Sequence, residues 1–184
     1  MEQKNLFVVT GGPGAGKTTL LEELRRLGHT CLPEVAREII QEQMRSGGKA
    51  VPWDDKEQFA WMMLERSTEQ WCDYSSSAEA SFVDRGLPDT LCYARLVGLS
   101  EEIRTEALRK SQSLRYRDLV FIAPPWRQIY LRDTERKQNF EEAVATFEIM
   151  RQTYLDCGYE LVELPRVPVE ERAAFVLDQI GPRF

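Results

Sequence analysis

Gly11-Gly12-Pro13-Gly14-Ala15-Gly16-Lys17-Thr18 stands just after the apolar run Leu6-Phe7-Val8-Val9 and before Thr19-Leu20-Leu21-Glu22-Glu23-Leu24-Arg25-Arg26-Leu27, a helix-forming stretch closed by Gly28. Strand, glycine-rich turn and helix in this order match G-x-x-x-x-G-K-[ST], a phosphate-binding loop. Glycines let backbone N–H groups curl around phosphates without Cβ obstruction, and the following helix directs its positive end at them. Gly11 through Thr18, continued by Thr19, are therefore expected to cradle a nucleotide. Lys17 is expected to reach the β- and γ-phosphates, and the Thr18 hydroxyl to hold Mg²⁺.

Outward from this loop, strand-like and helix-like stretches alternate. His29 to Pro33 reads as a second strand and Glu34 to about Arg45 as a helix ended by Gly47-Gly48. Asp54 or Asp55 caps a long helix towards Ser75, whose Trp61, Leu64, Thr68 and Trp71 recur at helical spacing and read as core. Ala80 to Val83, ending at Asp84, Leu119 to Ala123, stopped by Pro124-Pro125, and Glu160 to Leu164 complete five strands. Helical patterns fill the gaps, notably Phe140, Val144, Phe147, Met150 and Tyr154. Such alternation predicts an α/β fold: one five-stranded parallel sheet with helices on both faces, in a single domain over 1–184.

Ligands bind beyond the carboxyl ends of strands in open α/β sheets, so the residues there are the candidate site. The third strand delivers Asp84-Arg85-Gly86. Asp84 reads as a Mg²⁺ carboxylate, direct or through water, or as a turn or helix-capping residue. Arg85 neutralises phosphate charge or pairs with an acid. The second strand delivers Glu34, Arg37 and Glu38, spaced to share a helix face. Glu34 suits the removal of a proton from an acceptor hydroxyl, and Arg37 and Glu38, with Arg85, suit acceptor binding. The competing reading is a favourable acid at a helix start flanked by solvated charges. After the fourth strand, Arg127, Arg132, Arg136 and Lys137 fit a lid over about 126–140, with Arg132 and Arg136 acting on the transferring phosphoryl group, or else a solvated helix face.

Whole-chain properties narrow the partners. The 184 residues are 42% apolar with a formal charge of −6, which argues against duplex nucleic acid. No segment has the length of a membrane span and no signal peptide is evident, so the cytoplasm is expected. Cys31, Cys72, Cys92 and Cys157 are too scattered for a zinc motif and read as reduced thiols. His29 is the lone histidine, which excludes a His-based triad or a multi-histidine metal centre within the chain, and it reads as structural. The basic residues Arg104, Arg109, Lys110, Arg115 and Arg117 read as ordinary surface.

The phosphate loop, Pro33-Glu34-Val35-Ala36-Arg37-Glu38, Asp84-Arg85-Gly86, the run from Tyr130 to Gln138 and Gly158 to Pro165 together resemble the small AAA-domain family of predicted ATPases over nearly the whole chain. That family is similar in turn to the ribosylnicotinamide kinase domain of bifunctional nicotinamide-nucleotide enzymes, and more distantly to deoxynucleoside and nucleoside monophosphate kinases. The resemblance implies a P-loop NTPase fold of the nucleoside- or nucleotide-kinase kind. It also implies that the Pro165 to Pro168 loop, with Val167, lines the adenine; Arg127 is a further expected donor contact. The paired Walker B acids of mechanical AAA machines are missing, and ring-forming, force-generating activity is not expected. The expected function is Mg²⁺-dependent transfer of the γ-phosphoryl of ATP to a small hydroxyl-bearing acceptor by a monomer or homodimer. The alternative is a nucleotide-dependent switch with slow hydrolysis and a protein or anionic-lipid partner.

Overall fold

The computed structural model describes residues 5–76, 79–130 and 140–181. Its strands are β1 (Leu6–Gly11), β2 (Thr30–Leu32), β3 (Ser81–Asp84), β4 (Leu119–Ala123) and β5 (Glu160–Glu163), and its helices are α1 (Lys17–Arg26), α2 (Val35–Ser46), α3 (Lys56–Tyr74), α4 (Leu87–Val97), α5 (Glu101–Ser113), α6 (Arg127–Tyr130), α7 (Phe140–Asp156) and α8 (Val169–Ile180). The strands form one parallel sheet in the order β2-β3-β1-β4-β5.

Alternation along β1 explains why it lies in the middle. Leu6 and Val8 enter one core with Leu64 of α3, Leu91 of α4, Ile103 of α5 and Tyr154 of α7. Phe7 and Val9 enter the other with Leu20 and Leu24 of α1 and Val176 of α8. A strand apolar at every position can thus be buried on both faces, the signature of a parallel sheet covered by helices. After β3 the chain crosses β1 to build β4 and β5, so β1 has structure built on both sides and a crevice at its carboxyl end.

Boundaries differ from the sequence reading in explicable ways. The second strand contracts to Thr30–Leu32 because the His29 N–H donates to Leu24 O at 3.1 Å, finishing the turn after α1, while Pro33 has no N–H to offer. His29 is buried and meets Phe82 edge-on at 5.5 Å, as expected of a packing residue. Asp55, not Asp54, caps α3 by accepting from the Gln58 N–H at 2.9 Å. The tryptophan stripe is only partly core. Leu64 is buried, but Trp61 and Trp71 are half-buried at the rim, and the enclosed face runs through Ala60, Met63 and Ser67. Trp71 keeps its indole N–H at that rim to donate to Arg115 O at 3.1 Å. Among the described residues, no helix is long and apolar enough to cross a membrane.

Candidate functional site

The phosphate loop leaves β1 through Gly11, where a close approach decides the residue. A Cβ there would lie 2.7 Å from Ala123 O on the neighbouring strand, and φ is +142°. Gly14 and Gly16 also take positive φ, so the loop turns without steric cost. Helix α1 then opens on Lys17 with no side-chain cap and no acid in its first turn. Its positive end is thereby left for an external anion. Lys17 is buried, and its Nζ donates to Gly11 O at 2.9 Å and Gly12 O at 3.2 Å. Burial, seconded by the nearby Arg85 cation, pulls its pKa down to about 8. The Thr18 and Thr19 side chains are exposed at the loop's mouth.

Parallel pairing sets Asp84 level with Val9, two residues short of Gly11. Asp84 is 7% exposed, and its Oδ1 has no hydrogen-bond partner. Burial raises its pKa, against the pull of Lys17. Such an orphaned carboxylate oxygen needs a cation or water. Asp84 and Thr18 line a common recess of about 260 Å³, and together they offer only oxygen donors, the type hard Mg²⁺ prefers. Among the described residues no group of three or more His, Cys, Asp or Glu gathers to hold a metal. Mg²⁺ suits this sparse set, because it ordinarily fills its shell with water and substrate phosphate oxygens.

Arg85, next along, has φ +67°, the one described non-glycine residue in the left-handed region. That turn, with its N–H donating to Val9 O at 3.0 Å, throws the side chain back under the cleft. Arg85 Nε donates to Glu34 Oε1 at 2.9 Å and Nη1 to Asp89 Oδ1 at 3.2 Å. Burial opposes its charge, but Asp89, Glu34 and Asp84 outweigh it and raise the guanidinium pKa. Glu34 is the N-cap residue of α2, and its main ion pair is with Arg85, since Arg37 stands 3.9 Å away and largely in solvent. Glu38 is exposed and borders the smaller recess.

Although Arg85 was expected to pair with an acid, its partner Asp89 went unnoticed in the sequence. Its side chain is 3% exposed, yet it accepts from Thr10 Oγ1 at 2.7 Å, the Gly86 N–H at 2.8 Å and the Tyr154 hydroxyl at 2.5 Å, besides Arg85. One carboxylate thus ties together β1, the start of α4 and α7. Gly86-x-x-Asp89 is a helix-start pattern, a signal that could have found it.

Across β1, the ends of β4 and β5 contribute different groups. Arg172 of α8 is 6% exposed, and its Nη1 donates to Gly16 O at 3.2 Å. Its guanidinium also lies 5.8 Å from the ring centroid of Trp126, which follows β4. Val167 is half-buried in the bend between β5 and α8. Arg127 is exposed and sits 5.3 Å over the Phe140 ring. Arg132 and Arg136 lie outside the described residues. An open cleft of about 990 Å³ joins the two sides, bordered by Lys17, Thr18, Glu34, Arg37, Arg85 and Arg172 among others. Elsewhere, Arg104 and Arg109 pair in solvent with Glu101 and Glu106 at 2.8 and 2.6 Å, whereas Arg115, expected as ordinary surface, is half-buried, donating to Cys157 O at 2.6 Å and lying 3.8 Å over the Tyr159 ring.

A protein-family model described as an AAA domain matches residues 6–172. No curated protein matches the sequence significantly. Among solved structures, NadR protein in complex with NR is 24% identical with a TM-score of 0.66, and NadR in complex with NAD and AMP-PNP is 22% identical at 0.67. These alignments cover 98% and 99% of this chain but 51% of each NadR chain, so the protein spans about half the length of these relatives. Deoxyadenosine kinase from M. mycoides with bound dATP is 14% identical over 96% of this chain and 100% of that one, with a TM-score of 0.63. Shikimate kinase from Acinetobacter baumannii in complex with shikimate is 18% identical over 97% and 93%, at 0.57. At these identities the likeness establishes the fold, that of the P-loop kinases. By the extent of the family match, the chain belongs to the AAA-domain family and carries this kinase-like P-loop fold.

Proposed function

We propose that the protein transfers the γ-phosphoryl group of ATP to a hydroxyl of a small, nucleoside-like acceptor. The observation that supports this most is the meeting of an uncapped phosphate loop and the ion-paired carboxylate of Glu34 on one cleft, beside a recess that Thr18 and Glu34 share with the orphaned carboxylate of Asp84. Lys17 and the first N–H groups of α1 hold the donor's phosphates. Thr18 and Asp84 would hold Mg²⁺, which supplies charge neutralisation on the phosphate oxygens. Arg85 fixes the Glu34 carboxylate, which takes the proton as the acceptor oxygen bonds to the γ-phosphorus and the bond to the β,γ-bridging oxygen breaks, releasing ADP. Arg37 and Glu38, at the open side, meet the acceptor. The likeness to NadR, seen in complex with NR, and to a deoxyadenosine kinase supports nucleosides as the first candidate acceptors. All four thiols are free, which suits a reducing compartment, and the cytoplasm is the proposed place of action.

Acceptor-dependent ADP release across a panel of nucleosides and other hydroxyl metabolites tests the proposal. A kinase gives a rate that rises with one acceptor class. A slow basal rate indifferent to every acceptor, with partner binding that differs between nucleotide states, would identify a switch instead.

A further inference from the structure

Asp89 collects more hydrogen bonds than an acid at a helix start requires. To finish the turn into α4 it needs only the Gly86 N–H, which donates to its Oδ2 at 2.8 Å. It accepts from three donors more: the Tyr154 hydroxyl on the same oxygen at 2.5 Å, and the Thr10 hydroxyl and Arg85 Nη1 on Oδ1 at 2.7 and 3.2 Å. Two donors on each oxygen fill the lone pairs of a carboxylate, so the group is held in one orientation.

What this fixes is an arginine. Arg85 reaches from Asp89, whose side chain is 3% exposed, to Glu34, whose side chain is 18% exposed and borders the open cleft. Nη1 is tied at the buried end, which turns Nε towards Glu34 Oε1 at 2.9 Å. Held by Glu34 alone, a long and freely rotating side chain would swing with its partner. A second tie to a fixed carboxylate removes that freedom and sets the guanidinium plane. The anchor is itself held from three elements: Thr10 is the residue of β1 just before Gly11, Gly86 precedes α4, and Tyr154 is fully buried in α7. Burial, seconded by the Asp89 charge, raises the Tyr154 pKa well above its ordinary value, so the hydroxyl keeps the proton it donates.

We propose that Asp89 is a positioning residue for phosphoryl transfer: it turns the Arg85 guanidinium so that Nε holds the Glu34 carboxylate in one place, and it ties that place to β1 and α7 through Thr10 and Tyr154. This rests on Glu34 as the base of the proposed transfer and adds the residue that sets its aim. Asp89 acts from below the cleft, through Arg85.

Solvent exchange of the Arg85 Nε–H reads this hold directly, by NMR of the full chain with isotope-labelled arginine and assignment through the signal lost in Arg85→Lys. Asp89→Asn leaves a single acceptor atom where a carboxylate served every donor, so exchange should quicken about tenfold or more, the scale of one charge-assisted hydrogen bond. Tyr154→Phe, which keeps the ring and loses one donor, should quicken it about threefold. ADP release at saturating Mg-ATP, with a mixture of ribonucleosides and deoxynucleosides as acceptors, should slow in the same order while the KM for ATP stays within about twofold. Asp89→Asn combined with Glu34→Gln should be no slower than Glu34→Gln alone, because both act through one carboxylate. A folded Asp89→Asn protein that exchanges and turns over like the parent would make Asp89 a structural residue and overturn the proposal, as would losses that multiply in the double variant. If Asp89→Asn does not fold, parental exchange and turnover in Tyr154→Phe overturn it instead. A parent that releases no ADP, or a Glu34→Gln variant that matches the parent, defeats the proposed transfer itself, and the exchange rate in Asp89→Asn then decides alone whether Asp89 holds Arg85.

Discussion

The two halves of the crevice treat buried charge differently. On the β2–β3 side, Arg85, Glu34 and Asp89 settle their charges among themselves, and Thr10, Gly86 and Tyr154 satisfy Asp89 further. At the loop after β1 and beyond it, Lys17 and Arg172 are buried and, among the described residues, have only carbonyl oxygens as hydrogen-bond acceptors. Apart from Asp84, whose Oδ1 is left for a cation or water, the first half is organised before any ligand arrives, which suits a carboxylate that must hold one orientation towards a reacting hydroxyl. The second half carries an electrostatic deficit that an anion removes, so binding and stability are linked there.

The largest effect expected from this contrast is on folding. Asp89→Asn strips the Arg85 guanidinium of a buried partner and should cost about 3–5 kcal/mol in urea denaturation. A loss below about 1 kcal/mol would mean that the β2–β3 side does not depend on its internal pairing. Lys17→Ala should do the reverse: ATP affinity falls by roughly a hundredfold or more, while the melting temperature of the ligand-free protein holds. Calorimetry that returned parental affinity would remove the phosphate loop from the account.

Acidity gives a subtler probe of the same deficit. Because the Lys17 pKa falls from 10.5 to about 8 in the folded protein, the unfolded chain binds the extra proton between those values. Stability of the ligand-free protein should therefore rise with pH through that window, by on the order of 1–3 kcal/mol relative to Lys17→Met. Denaturation curves at pH 7.5 and pH 10 (roughly the ends of the window) check this, and parallel behaviour of parent and variant would contradict it. The smallest change is expected at Asp84. Asp84→Asn should leave metal-free ATP binding largely intact but abolish the gain that Mg²⁺ confers, since an amide lacks the charge Mg²⁺ favours. Coincident Mg²⁺ titrations of parent and variant would make Asp84 a structural turn residue.

Features written in consecutive residues were legible in the sequence, and features made by distant residues were not. The phosphate loop is a local motif with a strand before and a helix after, and each strand is an apolar run. Spacing puts Glu34 and Arg37 on one helix face, and it leaves the acid that Arg85 would pair with unnamed. The structure gives Glu34 chiefly to Arg85, 51 residues away, because a buried guanidinium gains more from the carboxylate than a solvated one does. Arg172 offered no signal at all. Glu170-Glu171-Arg172 reads as the charged start of an amphipathic helix, and the contact that buries the arginine is with Gly16, 156 residues earlier. Strand order was equally hidden, since no short pattern states that β3 pairs with β1 on one side and β4 on the other.

The contact between Gly11 and Ala123 has a consequence for how the site comes to exist at all. Leu6 to Val9 is apolar at every position, so burial does not distinguish one alignment of β1 from its neighbours. Sterics do: with a Cβ only 2.7 Å from Ala123 O at this place, only a glycine fits, and sliding β1 by one residue towards its start or its end brings Gly12 or Thr10 to a spot shaped for Gly11. Thr10 would clash, and Gly12 would draw the phosphate loop into the sheet. The pairing with β4 that seats Gly11 sets the phosphate loop level with the end of β4, and the pairing with β3 on the other side levels Asp84 with Val9. Zipping the sheet correctly and assembling the crevice are therefore one event, and a chain that has found its strand alignment has already built the place where its nucleotide is proposed to bind.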